Sequence, residues 1–393
     1  MHKQTIRDVD VRGKRVFLRV DYNVQFDDGE MLDDFRLRES IPTIRFLQEQ
    51  GAKVIACSHR GRPGGKVVDE LRNARVAEHL GTLLGEQVLA IPDCIGPDVE
   101  AAIEAMQPGQ VILLENVRFH AEEEANDDDF ASTLAALADV FVCDAFGTAH
   151  RAHASVVGVA KHLPAVAGLL MERELEYLER ITVEPERPFA IVLGGAKVAD
   201  KLAILHNLCD RADLICIGGG IANTFLKAQG IDVAASLVED DRIEDALDVM
   251  RIAAQREDLR LLMPTDVVIT DPSGERVNTV SVHRVPPGWR ILDIGRQTIE
   301  DMREALQSMR TVVWNGPMGL FEREPFDRGT VELARILAFL PNAVTVVGGG
   351  ETAAAVHRAG VADRMSHMST GGGASLEMMQ GVTLPGVAVL RDR

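Results

Sequence analysis

Short β-branched runs alternate with amphipathic segments along nearly the whole chain, and this alternation restricts the fold more than any other feature. VFLRVDYNV (16–24), KVIACSH (53–59) and VFVCDAF (140–146) read as strands, and VILLENVRF begins as one. Between them, IPTIRFLQEQG (41–51) reads as a helix with Ser40 as N-cap and Gly51 as stop, and VVDELRNARVAEHLGTLLG reads as another. Strand followed by helix, repeated, implies parallel sheets covered by helices on both faces.

The rhythm breaks once. Residues 168–181, GLLMERELEYLERI, read as a charged helix with Leu169, Met171, Leu175 and Leu178 loosely periodic, and TVEPERP then supplies two prolines. A domain boundary is expected here, since 393 residues exceed one ordinary core. The pattern restarts at Phe189. FAIVLGG, LICIGGG, RLLMPTDVVI, TVVWNG and VTVVGGG read as strands, ADKLAILHNLCDRA and DRIEDALDVMRIAAQRED as helices, and TDPSGERVNTVSVHRVPPGW as a β-hairpin excursion.

Composition narrows the class. Hydrophobic residues make up 46% and charged residues 26%, as in a soluble globular protein. A formal net charge of −18 argues against nucleic acid or an anionic membrane as partner. The cysteines Cys57, Cys94, Cys143, Cys209 and Cys216 form no CxxC pair, and several sit in apolar runs, so buried reduced thiols are expected. MHKQTIRDVDVRGK lacks a signal-peptide core and no apolar run approaches membrane-spanning length, so a cytoplasmic location is expected.

Four glycine turns mark the second half: GGAK (194–197), GGG (218–220), GGG (348–350) and STGGGAS (369–375). In a doubly wound fold ligands sit beyond the carboxyl ends of the strands, where glycine lets backbone approach a ligand and the next helix offers free N–H groups to an anion. Four such turns point to a large phosphate-bearing ligand. GxxxxGK[ST] does not occur, so the chain is not a P-loop protein. GGGETA (348–353) fits a loose dinucleotide pattern, but the chain ends too soon for the rest of that unit, and nicotinamide binding ranks low. Lys197 and Lys201, at i and i+4, would share one face of a helix and suit a phosphate between them.

The first half carries cations instead. Arg19, Asp21 and Asn23 alternate along RVDYN, and Arg36 lies just before a helix. His59, Arg62, Arg118 and Arg151 follow strand ends, where one sheet would gather them. Guanidinium forks with a histidine suit a small polyanion. A zinc reading of His59, His120, His150 and His153 ranks below this, because no acid or cysteine has a compelling ligand spacing.

RVDYNV, SHRGRPGG, LLENVRFH, CDAFGTAHRAH, LGGAKVADKL, IGGGIANTFLKAQG, VWNGPMGLFE and STGGGASLE, in that order, resemble the phosphoglycerate kinase family over almost the whole chain. The resemblance implies an α/β fold of two doubly wound parallel-sheet lobes of Rossmann type joined by a hinge helix. Residues 1–167 would form an N-lobe binding 3-phosphoglycerate, 168–182 the connecting helix and 183–379 the nucleotide lobe, with the tail 380–393 returning to the N-lobe. It implies reversible phosphoryl transfer from 1,3-bisphosphoglycerate to ADP, giving 3-phosphoglycerate and ATP, by a monomer using Mg2+. Carried over by motif, Asp21, Asn23, Arg36, His59, Arg62, Arg118 and Arg151 would bind substrate. Lys197, Lys201, Gly219, Asn315, Glu322, Gly349, Gly350, Glu351 and Thr352 would bind nucleotide, with Glu351 serving the metal. Arg36, Lys201, Gly371 and Gly372 would meet the moving phosphoryl group. The acceptor carboxylate is already ionised at neutral pH and needs no general base, so catalysis would rest on positioning and charge neutralisation. The alternative is a catalytically impaired, nucleotide-binding relative with a regulatory role. Glu351 departs from the family's usual aspartate, and Gln25, Arg296, Met379 and Val382 depart in loops and tail.

Overall fold

The computed structural model describes residues 2–393, apart from the side chain of Asp200. The chain divides into two compact units. The first holds residues up to Glu176 together with Thr383–Arg393, and the second holds Tyr177–Val382.

The first unit is built on a parallel sheet of six strands: β1 (Arg15–Arg19), β2 (Lys53–Cys57), β3 (Leu89–Ala90), β4 (Val111–Leu113), β5 (Val140–Cys143) and β6 (Ala165–Ala167), in the order β3-β4-β2-β1-β5-β6. Arg19 pairs in register with Cys57 on one side and Cys143 on the other. The carboxyl ends of the central strands therefore fall on one edge. Their side chains are buried on both faces, as a parallel sheet requires. Val16, Leu18 and Val54 join Ile44, Leu47 and Leu80 in one core cluster, while Phe17 meets Phe141 at 6.1 Å.

Helix α1 runs Phe35–Glu49, so Ser40 is not its N-cap; Asp34 holds that position. Serine shortly before Pro42 imitates a helix start, because proline is tolerated in a first turn. Here the buried stripe Leu37, Ser40, Ile44 and Leu47 carries the helix through Pro42. The Ser40 hydroxyl donates to Leu37 O and lies 2.7 Å from the Tyr22 hydroxyl. Arg36 is thereby a first-turn residue of α1. The terminal segment packs on this unit: Gly386 N donates to Ala149 O at 2.8 Å and Arg391 N to Ala165 O at 3.1 Å. The helix α2 (Leu169–Thr182) contains the boundary between the units.

The second unit repeats the plan with β7 (Phe189–Leu193), β8 (Leu214–Ile217), β9 (Arg260–Leu262), β13 (Thr311–Asn315), β14 (Val344–Gly348) and β15 (His367–Met368), in the order β9-β8-β7-β13-β14-β15. Between β9 and β13 a small antiparallel sheet is inserted, formed by β10 (Asp266–Thr270), β11 (Val277–Ser281) and β12 (Arg290–Ile294) with β10 central. RLLMPTDVVI is thus two strands in two sheets rather than one. Pro264 supplies no N–H to a ladder and separates them. Likewise the excursion after Thr270 is wider than a hairpin, since β12 pairs with the other side of β10. Among the described residues, no helix is long and apolar enough to cross a membrane. All five cysteines are buried and free.

Candidate active site

At the carboxyl edge of the first sheet the chain leaves β1 through Val20 to Asp21, leaves β2 through Ser58 to His59, and leaves β4 for the turn Val117–Phe119 that carries Arg118. Arg36 Nη1 lies 3.0 Å from Asp21 Oδ2. Asn23 Oδ1 accepts from Gly61 N at 2.9 Å, and Arg118 Nη1 donates to Gly61 O at 2.8 Å. Asp21, Asn23, Arg36, His59 and Arg118 are thus gathered around one loop. Arg151 donates through Nε to His150 Nε2 at 3.3 Å. Arg62 is exposed on the same loop as His59.

Arg19 explains how this edge is held. It is fully buried, with Nε donating to Ser155 Oγ at 2.8 Å and Nη2 lying 3.3 Å from His59 Nδ1. The Ser155 hydroxyl in turn donates to Glu123 Oε1 at 2.6 Å, and Ser155 N donates to Glu123 Oε2. A guanidinium can only donate, so Nδ1 of His59 accepts and the ring proton sits on Nε2. Burial pushes the His59 imidazole well below its ordinary range, with Arg19, Arg118 and Arg36 adding to the shift and Asp21 opposing it. His59 is therefore neutral at pH 7. Burial raises the Asp21 carboxyl, but the Arg36 guanidinium leads the interactions that hold it below the usual carboxylate value. Because His59 is neutral, that stabilisation rests on Arg36 and Arg19, with Asn23 N donating to Asp21 Oδ1 at 3.2 Å. Asn116 fixes the neighbouring loops, its Oδ1 accepting from both Arg60 N and Arg118 N at 3.1 Å.

In the second unit the glycine turns converge. Gly219, at φ +61°, opens α4 (Gly219–Ala228); a Cβ there would lie 2.6 Å from Gly195 N and 2.6 Å from Pro317 O. Only glycine allows this stacking of three strand-end turns. Gly349, at φ +93°, is the N-cap of α6 (Gly350–Arg358), which places Glu351 in the first turn and buries Thr352. The Thr352 hydroxyl accepts from Gly316 N at 2.8 Å. Lys201, on α3 (Ala199–Leu208), donates through Nζ to Asn315 Oδ1 at the end of β13. The amide nitrogen of Asn315 is buried without a hydrogen-bond partner and faces Gly348 and Gly349. An unpaired donor at a glycine turn suits an anion. Lys197 is exposed and precedes α3, so it shares no helix face with Lys201; Gly350, Glu322 and Glu351 are exposed as well. Gly371 is buried, its N–H donating to Ser369 Oγ, and Gly372 at φ +49° precedes the short helix α7 (Gly373–Met379).

A cavity in this unit is lined by Gly195, Gly219 and Gly220 on one side and by Leu237, Val267, Ile291 and Leu320 on the other, with Glu322 and Glu351 at its border. The apolar wall comes from the inserted sheet and adjoining loops. Sequence pattern does not single these residues out, because apolar side chains in short strands and loops look like ordinary core.

Asp293, at the end of β12, also lines this cavity and was not picked out from the sequence. It accepts from Ile294 N at 2.9 Å and from Gly329 N, in the first turn of helix α5 (Arg328–Ala338), at 2.8 Å. Burial pushes its carboxyl up to about 8 in spite of these donors, and Asp327 adds to the rise. A folded-state pKa above the unfolded value of about 3.9 means that stability falls as pH rises between the two. The stability of wild type relative to Asp293→Asn is expected to decrease from about pH 4 to about pH 8, with a limiting slope of about 1.4 kcal/mol per pH unit. Denaturant melts at several pH values check this; a difference independent of pH would refute it.

A cationic edge in one unit and a glycine-lined slot in the other fit a protein that binds small phosphate-bearing ligands. Comparison with known proteins narrows that class. The family model described as "Phosphoglycerate kinase" matches residues 6–382. Curated phosphoglycerate kinases of Pelotomaculum thermopropionicum and Desulforudis audaxviator are 56% and 52% identical, each covering 100% of both chains. The solved phosphoglycerate kinase of Coxiella burnetii superposes with a TM-score of 0.87 at 38% identity, covering 98% of each chain. That of Pyrococcus horikoshii gives 0.86 at 36% identity, covering 99% of this chain and 98% of the other. The chain belongs to the phosphoglycerate kinase family.

Proposed function

We infer that the chain carries out the family reaction, phosphoryl transfer between 1,3-bisphosphoglycerate and ADP, with the first unit holding the phosphoglycerate and the second the adenine nucleotide. The observation that carries this division is the convergence of Arg36, Asp21, His59 and Arg118 on one sheet edge. There guanidinium forks meet carboxylate and phosphate oxygens, and neutral His59 offers Nε2–H as a donor. Asp21 keeps Arg36 aimed and lowers the net charge, so the site binds a polyanion without trapping it.

In the second unit the adenine lies between the glycine backbones and the apolar wall of Leu237, Val267, Ile291 and Leu320. Lys201, Asn315 Nδ2 and the N–H groups of α6 meet phosphate oxygens. Glu351 and the phosphates form an all-oxygen donor set, which fits Mg2+. Glu351 would hold the ion, which when bound neutralises phosphate charge. The backbone at Gly371 and Gly372 meets the transferring group. Since Arg36 and Lys201 belong to different units, the reading includes a rearrangement about α2 that brings the two ligands together and excludes water. Five buried, unpaired thiols fit a reducing, cytoplasmic setting, and a monomer is part of the same reading.

A coupled assay of ATP formation across a Mg2+ titration tests the proposal. Wild type is expected to turn over, and Glu351→Ala to need several-fold more Mg2+ for half-maximal rate. Absence of ATP formation in wild type would favour the impaired relative. An unchanged Mg2+ dependence in the variant would leave Glu351 as a residue that interacts only with the helix dipole, worth roughly 0.3–1 kcal/mol.

A further inference from the structure

His120 follows the turn that carries Arg118, and its surroundings have no part in the proposed chemistry. Its ring stacks on Phe130 with centroids 5.2 Å apart, which fixes its orientation. Its Nε2 lies 2.8 Å from Oδ1 of Asp93, 27 residues earlier in the chain. Cys94, next to that aspartate, is fully buried beneath the pair. The imidazole nitrogen, the carboxylate oxygen and the sulfur all lie within 4.8 Å of one another. Cys94 N donates to Asp93 Oδ1 at 2.7 Å, and Glu115 N donates to Asp93 O, so the loop after β3 is tied in place.

We propose that Asp93, Cys94 and His120 form a binding site for a borderline-soft divalent cation of the zinc type. The donor set decides the class. Sulfur and imidazole together suit zinc and cobalt, whereas magnesium and calcium take oxygen. Three protein donors leave a fourth position for water. The Asp93 side chain is 52% exposed and that of His120 26%, which opens the site to solvent on the side away from the sulfur. The spacing of these residues gave no zinc signature, because the two donors beside His120 come from a different strand end.

Binding exchanges the thiol proton of Cys94 for the ion. Burial keeps the Cys94 thiol protonated, its pKa held well above the ordinary value, with Cys57, Asp93 and Glu123 nearby adding to the shift. The ion takes the thiolate and one proton leaves to solvent. Nε2 of His120 exchanges its contact with Asp93 Oδ1 for the ion. An occupied site would brace the turn Val117–Phe119.

The test uses Co2+ on the intact chain, because a cobalt–thiolate bond gives a charge-transfer absorption that nitrogen and oxygen ligands do not. The expected result is a band that saturates at about one Co2+ per chain and is displaced by Zn2+. Cys94→Ser should abolish the band. His120→Asn, at a partly exposed position, should keep the thiol and the fold while weakening binding by about tenfold or more. Absence of the band in wild type, or a band undiminished in either variant, would overturn the proposal and leave a histidine–aspartate hydrogen bond above a buried thiol.

Discussion

Replacing Lys201 with alanine is expected to lower kcat by about 10²- to 10³-fold, the range seen when one donor to a developing charge is removed, while KM for ADP changes only a few-fold. The position of the ammonium sets this split. α3 presents Lys201 so that Nζ donates to Asn315 Oδ1, and the other end of that amide is an unpaired donor facing the turn at Gly348 and Gly349. Lysine and amide together set a cation and a free donor beside the Gly348 and Gly349 turn. On the proposed reading, affinity for ADP would draw on the whole slot, whereas charge on the moving phosphoryl group would fall beside Lys201. Steady-state kinetics separate the two. A large rise in KM at unchanged kcat would show that Lys201 contributes equally to ground and transition states and would remove it from catalysis. Removing the ammonium also leaves Asn315 Oδ1 without that donor, at a cost of about 1–3 kcal/mol for a buried acceptor. A thermal melt of the variant therefore accompanies the kinetics.

The parts of this molecule that were legible in the sequence are those written in local pattern. Apolar runs of strand length alternating with helical segments gave two doubly wound units, because a parallel strand pair must be bridged by a crossover. The same logic leads one to expect the strand-end arginines on one edge, and Arg118 meets the loop after β2 there. What local pattern concealed is long-range pairing. Arg19 reads as one member of an alternating polar set, yet it is a buried brace whose partner Ser155 lies 136 residues away. Asp293 sits in a strand ending whose acid looks like a turn residue, and only the fold shows it capping a helix 36 residues later. Proline misled in both directions. Pro42 imitated a helix start that the buried stripe overrode, and Pro264 split an apparent single strand. Residue roles came from the family resemblance, since spacing alone left a generic anion site.

Arg36→Ala is expected to remove most turnover, by about 10²-fold or more by analogy with the loss of other transition-state donors, while far-ultraviolet circular dichroism stays as in wild type. The fold should persist because Arg36 projects from the first turn of α1, and the stripe that seats the helix is Leu37, Ile44 and Leu47. What changes is local. Asp21, 8% exposed, loses the guanidinium that most strongly holds it ionised. The wild-type Asp21 pKa lies below its unfolded value, so the stability that the pair contributes is present above the unfolded value of about 3.9 and is lost as pH falls through the lowered pKa. The stability gap between wild type and variant should therefore be full at neutral pH and close in acid, which denaturant melts can follow. Arg36→Lys sharpens the reading. It restores a positive charge to Asp21 and should recover much of the stability, but a single ammonium cannot reproduce the two parallel donors of the guanidinium. If turnover recovers with stability, charge alone is what the site needs from this position. If stability returns and turnover does not, Arg36 acts through its fork on the substrate, and full activity in Arg36→Ala would take it out of the mechanism altogether.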